Sequence, residues 1–362
     1  MNAEYNSNNG FQLLTKYRSA LMGLSALWIL YYHSGLPLIE EPSNPAIHLL
    51  YSLERYINRI GFCGVDIFLL VSGIGLTFAI KKGSLSTFYL HRIRRLLPAF
   101  ITIAVIRSFI ERWTILDFLG NVSGFNFYFH HIYSFLWFVP AIATLYLVFP
   151  LYYKLFLLAK NKYIFTAVTI LIWLVISSVF QSLIRIDLYA FTNRIPIFVV
   201  GVLFGYLTQN KKQLVFKKIT YLILSVLLIY GLILAYVYNF RSIKILIPQG
   251  NCFLPNFLIA ISFPFLFSKL LDIIHQRIPK FEKGIVAVLS FFGAFSLELY
   301  CVQDMLLFAI PVLEHFKWPN PLINLTFFVF ISAFSWFLSV VFKWVWRLTK
   351  KISKQKNKEA DT

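Results

Sequence analysis

Of the 362 residues, 59% are apolar and 14% charged, against about 45–50% and about 25% in soluble globular domains, so a soluble fold is excluded. The net charge of +19 would point to nucleic acid in a soluble chain, but no nucleic-acid partner is expected here, because the basic residues follow a membrane topology instead. A hydrocarbon layer needs roughly 20 apolar residues per helix, and the chain offers ten such runs, approximately 20–38, 60–80, 96–111, 134–157, 163–184, 195–207, 219–237, 252–271, 285–310 and 322–343.

The expected fold class is therefore all-α, a polytopic integral membrane bundle of about ten transmembrane helices. With the N-terminus inside, 24 of the 34 basic residues fall in cytoplasmic segments, among them Lys16, Arg18, Lys81, Lys82, Lys211, Lys212 and the run from Lys343 to Lys358. That is the positive-inside pattern, and it places both termini in the cytoplasm. Residues 1–19 read as a polar cytoplasmic tail, 20–346 as the transmembrane domain, and 347–362 as a basic tail too polar to pack, hence disordered. The first run starts too late for a cleaved signal peptide and is expected to stay as the first helix. Cys63, Cys252 and Cys301 lie in or beside separate apolar runs without paired or CxxC spacing, and read as membrane-packed thiols.

In chain order, the first run carries His33 in WILYYHSG (28–35), and the second carries Asp66 in GVDIFLLVSGIGLTF (64–78). A basic segment, FYLHRIRRLLPAF (88–100), precedes an apolar helix opened by Pro98. Its Arg92 and Arg95, three apart, share a face if that helix begins early and suit bidentate contact with phosphates; arginines at an inner helix end are equally well topology anchors. Arg107 lies in the third run and Glu298 in the ninth. Counted at about 1.5 Å per residue, His33, Asp66, Arg107 and Glu298 fall at one depth. Insertion of such groups costs about 2.5–3.5 kcal/mol each, which makes them functional candidates. They fit either a structural network or a polar cavity for a substrate or a proton path, and a proton-coupled transporter or flippase would use the same residue types. His130 and His131, in a long loop, lack a third ligand, and no metal site is expected.

Together these stretches resemble the membrane acyltransferase 3 family, multi-helix enzymes that move acyl groups, usually acetyl from acetyl-CoA, onto sugars of cell-surface glycans. The resemblance rests on a first-helix histidine (His33), the GVD-F-SG segment (Gly64, Asp66, Phe68, Ser72, Gly73) and the Arg-x-x-Arg motif (Arg92, Arg95). LWFVPAIATLYLVFP (136–150), NRIPIFVVGVLFGYL (193–207) and SLELYCVQDM (296–305) follow in the family's order. The chain departs from the family where many members carry an arginine eleven residues before the histidine: Met22 stands there, and the nearest arginine is Arg18. It also has Ala141, Ala143 and Thr144 where many have an acidic pair, and Gln303 where many have a histidine.

The resemblance implies an O-acyltransferase of the bacterial cell membrane with no bound cofactor and acyl-CoA as co-substrate. The acceptor it implies is a hydroxyl of a cell-surface glycan, glycolipid or lipid-linked sugar; glycan-assembly proteins are candidate partners. Arg92 and Arg95 would hold the donor phosphates and His33 would act as general base. Asp66 would orient the His33 ring, with Arg107 and Glu298 supporting a polar cavity, Arg107 either stabilising the oxyanion or paired to Asp66 or Glu298. The aromatic residues read mostly as lipid-facing and interfacial packing; near the outer face, Trp137 and Trp318 are the ones placed to stack on a pyranose.

Overall fold

The computed structural model describes residues 9–42, 44–130, 136–179, 188–210, 215–241, 250–306 and 309–360. His131, Lys211 and Lys212 lie outside the described residues. Every regular element among those described is helical, apart from an isolated bridge between Asn9 and Val215.

Asn9 caps α1 (Gly10–Lys16) by accepting from the amides of Phe11 and Gln12 at 3.1 and 3.3 Å. Next comes α2 (Arg18–Ser34), which stops at Gly35, whose φ of +66° favours glycine. An amphipathic helix, α3 (Pro45–Arg59), follows with Ile47, Leu50, Leu53 and Ile57 exposed. It is tied back to α2 by Glu54, which accepts from the Tyr31 hydroxyl and the Leu38 and Ile39 amides.

The chain continues through α4 (Cys63–Ala79), α5 (Leu85–Ile110), α6 (Ile115–Val122), α7 (Phe138–Leu158), α8 (Lys162–Val179) and α9 (Tyr189–Thr192). It closes with α10 (Ile195–Gln209), α11 (Lys218–Arg241), α12 (Gly250–Arg277), α13 (Pro279–Gly293), α14 (Ser296–Leu306), α15 (Ala309–His315) and α16 (Asn320–Ala360). That last helix runs through the polar segment for which the sequence predicts no structure. Cys63 and Cys301 are buried free thiols, Cys63 donating to Asn256 Oδ1 at 3.0 Å.

Among the described residues, seven helices are long and apolar enough to cross a membrane, or eight if α13 and α14, bent by 59° at their junction, form one broken span. The chain is a multi-pass membrane protein. Two of the ten expected runs lie outside this number, each for a physical reason. The run 20–38 yields only the 17 residues of α2 before Gly35 ends it. The run 96–111 is the second half of α5, which begins at Leu85 under an N-cap from Ser84 and carries Arg92, Arg94, Arg95 and Arg107 within its 26 residues. Pro98 therefore lies inside this helix and does not open it.

Two helix crossings depend on glycine. Gly23 of α2 and Gly293 of α13 meet so closely that a methyl group on either would overlap a backbone carbonyl of the other helix, Leu289 or Ser19. Gly73 of α4 and Gly201 of α10 do the same against Phe198 and Leu70. Lipid supplies no hydrophobic drive between helices, so close backbone approach through small residues carries the association. These crossings fix α2 and α4, the walls of the interior. Gly23→Leu should lower stability by at least about 1–3 kcal/mol, the usual range for overpacking, and remove the monodisperse peak on size exclusion in detergent. Gly284→Leu, at a glycine with open space around it, should leave the peak unchanged.

Candidate functional site: a cationic pocket joined to a buried cavity

Five helices each give one stripe to a central cavity of about 80 Å³: Met22 and Ile29 from α2; Val65, Phe68 and Ser72 from α4; Arg95 and Leu96 from α5; Phe138, Ile142 and Tyr146 from α7; Ser296, Leu297 and Tyr300 from α14. Steps of three, four or seven residues within α2, α4, α7 and α14, Leu297 beside Ser296 apart, keep these side chains on one helix face. Met22 to Ile29 and Ser72 to Val65 each cover a rise of about 10 Å, so the cavity is a short axial passage.

One end is marked by Arg95. Its guanidinium donates to Glu298 Oε1 at 3.1 Å, and the Tyr146 hydroxyl there meets Ser72 and Arg92. The same Arg95 side chain also lines a second pocket of about 430 Å³ with Arg18, Lys82, His91 and Arg92, backed by Gly75 and Phe88. No acidic residue lines this second pocket among the described residues. Arg92 lies over the rings of Phe88 and Tyr146 at 5.4 and 5.5 Å, and the charges of Arg18 and Arg92 are near enough to repel. Arg94, off their shared face, lies instead over Trp346 at 3.7 Å. Four basic side chains without a carboxylate, and a fifth held by Glu298, make a site suited to a polyanion.

The opposite end is marked by Phe138, whose amide donates to the Tyr300 hydroxyl at 3.2 Å, and by Val65 and Ile29. His33 follows Ile29 by one turn on the same face of α2, half-buried, with Nδ1 buried and without a protein partner. Asp66, beside Val65, is buried and faces Arg194 Nε at 3.2 Å. Arg194 is further held by the Phe62 carbonyl and lies 5.3 Å from the Trp137 ring. Asp66 thus pairs with Arg194, and no hydrogen bond joins it to His33.

The single ionisable layer expected from the sequence divides between the two ends. Glu298 joins Arg95 at the pocket end, because the break between α13 and α14 resets the depth count along that run. Arg107 stays at the far end but bonds Glu111 at 2.7 Å and Asp304 at 2.8 Å rather than Asp66 or Glu298. Of the aromatic candidates, Trp137 belongs to this end through Arg194, whereas Trp318 is 40% exposed. His130 packs on Phe125 at 5.2 Å. Among the described residues no cluster of three His, Cys, Asp or Glu is arranged for a metal. Sequence reasoning missed Arg18 and Arg194. For Arg18 a signal existed: it lies one helical turn before Met22, on the same face.

The fold and site define a multi-pass helical membrane protein in which a cationic pocket and an interior cavity share Arg95 as a lining residue. Residues 20–344 match the family model described as an acyltransferase domain, and the chain belongs to the membrane acyltransferase 3 family. Comparison with curated proteins and with solved structures gave no match.

Arg95 and Glu298 give a test of this geometry. Removing Arg95 leaves a buried carboxylate unpaired, which costs more than the pair contributes. Arg95→Ala should lower stability in detergent by about 1–3 kcal/mol, and the double change with Glu298→Gln should recover most of that loss. Equal melting temperatures for wild type and Arg95→Ala would show that the ion pair does not bear on folding.

Proposed function

We propose that this membrane acyltransferase moves an acyl group, acetyl by the family resemblance, from acyl-CoA to a hydroxyl of a cell-surface glycan, glycolipid or lipid-linked sugar. One observation carries the reading: Arg95 lines both the cationic pocket and the interior cavity, so a ligand anchored by its phosphates would have its extended arm at the mouth of an axial passage. In this reading the pocket faces the cytoplasm of a bacterial cell and both termini lie on that side, in keeping with the basic residues. Arg18 and Arg92 hold phosphate oxygens, and Arg95 guides the arm inward.

At the far end of the passage, His33 takes the proton from the acceptor hydroxyl as its oxygen attacks the thioester carbonyl. The C–O bond forms, the carbon–sulfur bond breaks, and the imidazolium returns the proton to the departing thiolate. Acylated acceptor and free coenzyme A thiol are the products. Asp66 acts through Arg194 in this scheme, holding the guanidinium beside Trp137 instead of orienting the imidazole, and Arg107 braces α5 against α14 through Asp304. The His33 Nδ1 atom, buried and without a protein partner, supports a ring available for proton transfer.

His33→Gln, which retains hydrogen bonding but no useful basicity, should reduce transfer of radiolabelled acetyl groups from acetyl-CoA to acceptor by at least about a hundredfold, the general-base contribution, with acetyl-CoA binding retained. Near wild-type turnover would remove His33 from the chemistry. Arg92→Lys and Arg95→Lys keep the charge but lose the planar fork, and each should weaken acetyl-CoA binding measured by calorimetry. Arg94→Lys should not. If all three bind as wild type does, the arginines are anchors and the donor site lies elsewhere.

A further inference from the structure

The far end of the cavity holds a residue to which the acyl-transfer scheme assigns no role. Ser296 and Tyr300 of α14 line the cavity, and Gln303 follows Tyr300 by three residues on that face, as His33 follows Ile29 by four on the face of α2. From Tyr300 to Gln303 is a rise of about 4.5 Å, and from Ile29 to His33 about 6 Å; α2 and α14 pack together and run the same way past the cavity. Gln303 and His33 are thus brought to one level just beyond its end. Gln303 is 1% exposed, yet neither Oε1 nor Nε2 has a protein partner. A buried amide left unbonded is costly, and packing alone would favour leucine there.

The same signature recurs in Asn193, which is 3% exposed with both polar atoms unpartnered. It immediately precedes Arg194, whose ion pair with Asp66 and contact with Trp137 lie at this end. Two buried carboxamides, each able to donate and accept, therefore belong to this end of the cavity without using that capacity on the protein.

We infer that Gln303, seconded by Asn193, is the acceptor-recognition site: its carboxamide exchanges hydrogen bonds with hydroxyls neighbouring the one that is acylated. The ligand class this selects is a polyol such as a pyranose, whose adjacent hydroxyls both donate and accept, in preference to an alcohol with a single hydroxyl. The inference rests on the proposed acyl transfer and specifies its acceptor side. The Trp137 ring gives the same end an apolar face beside the polar groups, as sugar binding requires.

The test uses the full-length protein in detergent with two readouts: binding of acetyl-CoA by calorimetry, and transfer of radiolabelled acetyl from acetyl-CoA to washed membranes of the producing cell, which carry the acceptor. Gln303→Leu should raise the apparent KM for the membrane acceptor about tenfold, as loss of one hydrogen-bonded pair predicts, with kcat changed less and acetyl-CoA affinity within about twofold. Gln303→Asn should recover part of the loss, and Asn193→Leu should act in the same direction. Because Gln303 makes no bond to the protein, its leucine variant should melt no lower than wild type. An unchanged acceptor KM in Gln303→Leu, or a lowered melting temperature as its sole effect, overturns the assignment while leaving acyl transfer standing. Failure of the wild-type protein to bind acetyl-CoA overturns the acyl-transfer reading and this inference with it.

Discussion

The position of one guanidinium organises the interior of this protein. Arg95 is a charge placed in the wall of a membrane bundle, and it is tolerable there because Glu298 neutralises it at 3.1 Å and because its outer part reaches an open pocket. Moving either partner alone would strand the other in a medium where unpaired charge is expensive. The pair in turn fixes the start of α14 against α5. From that start, Tyr300 is set against the α7 N-terminus, Asp304 against Arg107, and Gln303 near the level of His33. Together with Arg107–Asp304 further along, this ion pair ties α14 to α5 beside the cavity.

Electrostatically the site has polarity along the passage. At the pocket end, Arg18, Lys82 and Arg92 have no lining carboxylate, so the local field favours a multiply charged anion. At the far end every described charge has a partner, Asp66 facing Arg194 and Arg107 serving both Glu111 and Asp304, and an imidazole nitrogen and two carboxamides stand without protein partners. The first end suits phosphates and the second suits hydroxyls. In the proposed acyl transfer this division sets the anionic donor at one end and the neutral acceptor at the other, and an additional carboxylate beside the attacking oxygen would oppose the oxyanion that develops there.

Much of this was legible in the amino-acid sequence because hydropathy speaks directly to burial in lipid. The apolar runs and the arginine pair on one helix face follow from composition and the 3.6-residue period. What was not legible is the outcome of breaks and pairings. Depth counting assumes straight, continuous helices, and the 59° bend between α13 and α14 moved Glu298 from the expected layer to the pocket end. The early start of α5 at Leu85 could be inferred from Ser84 and Thr87 as a cap, a local signal outweighed by Pro98. Partner choice among buried charges is a tertiary property. Asp66 had His33, Arg107 and Arg194 as possible partners, and only the packing of α10 against α4 brings Arg194 to it.

In the proposed transfer, donor and acceptor meet in one passage with Arg95 at its floor and His33 just beyond its far end. A structure of the protein with coenzyme A bound tests it most directly. Phosphates are expected within hydrogen-bond distance of Arg18 and Arg92, and the pantetheine arm running past Ser72, Tyr146 and Tyr300 with its sulfur toward His33. Coenzyme A bound outside this passage, with the cavity closed at Arg95, would contradict it.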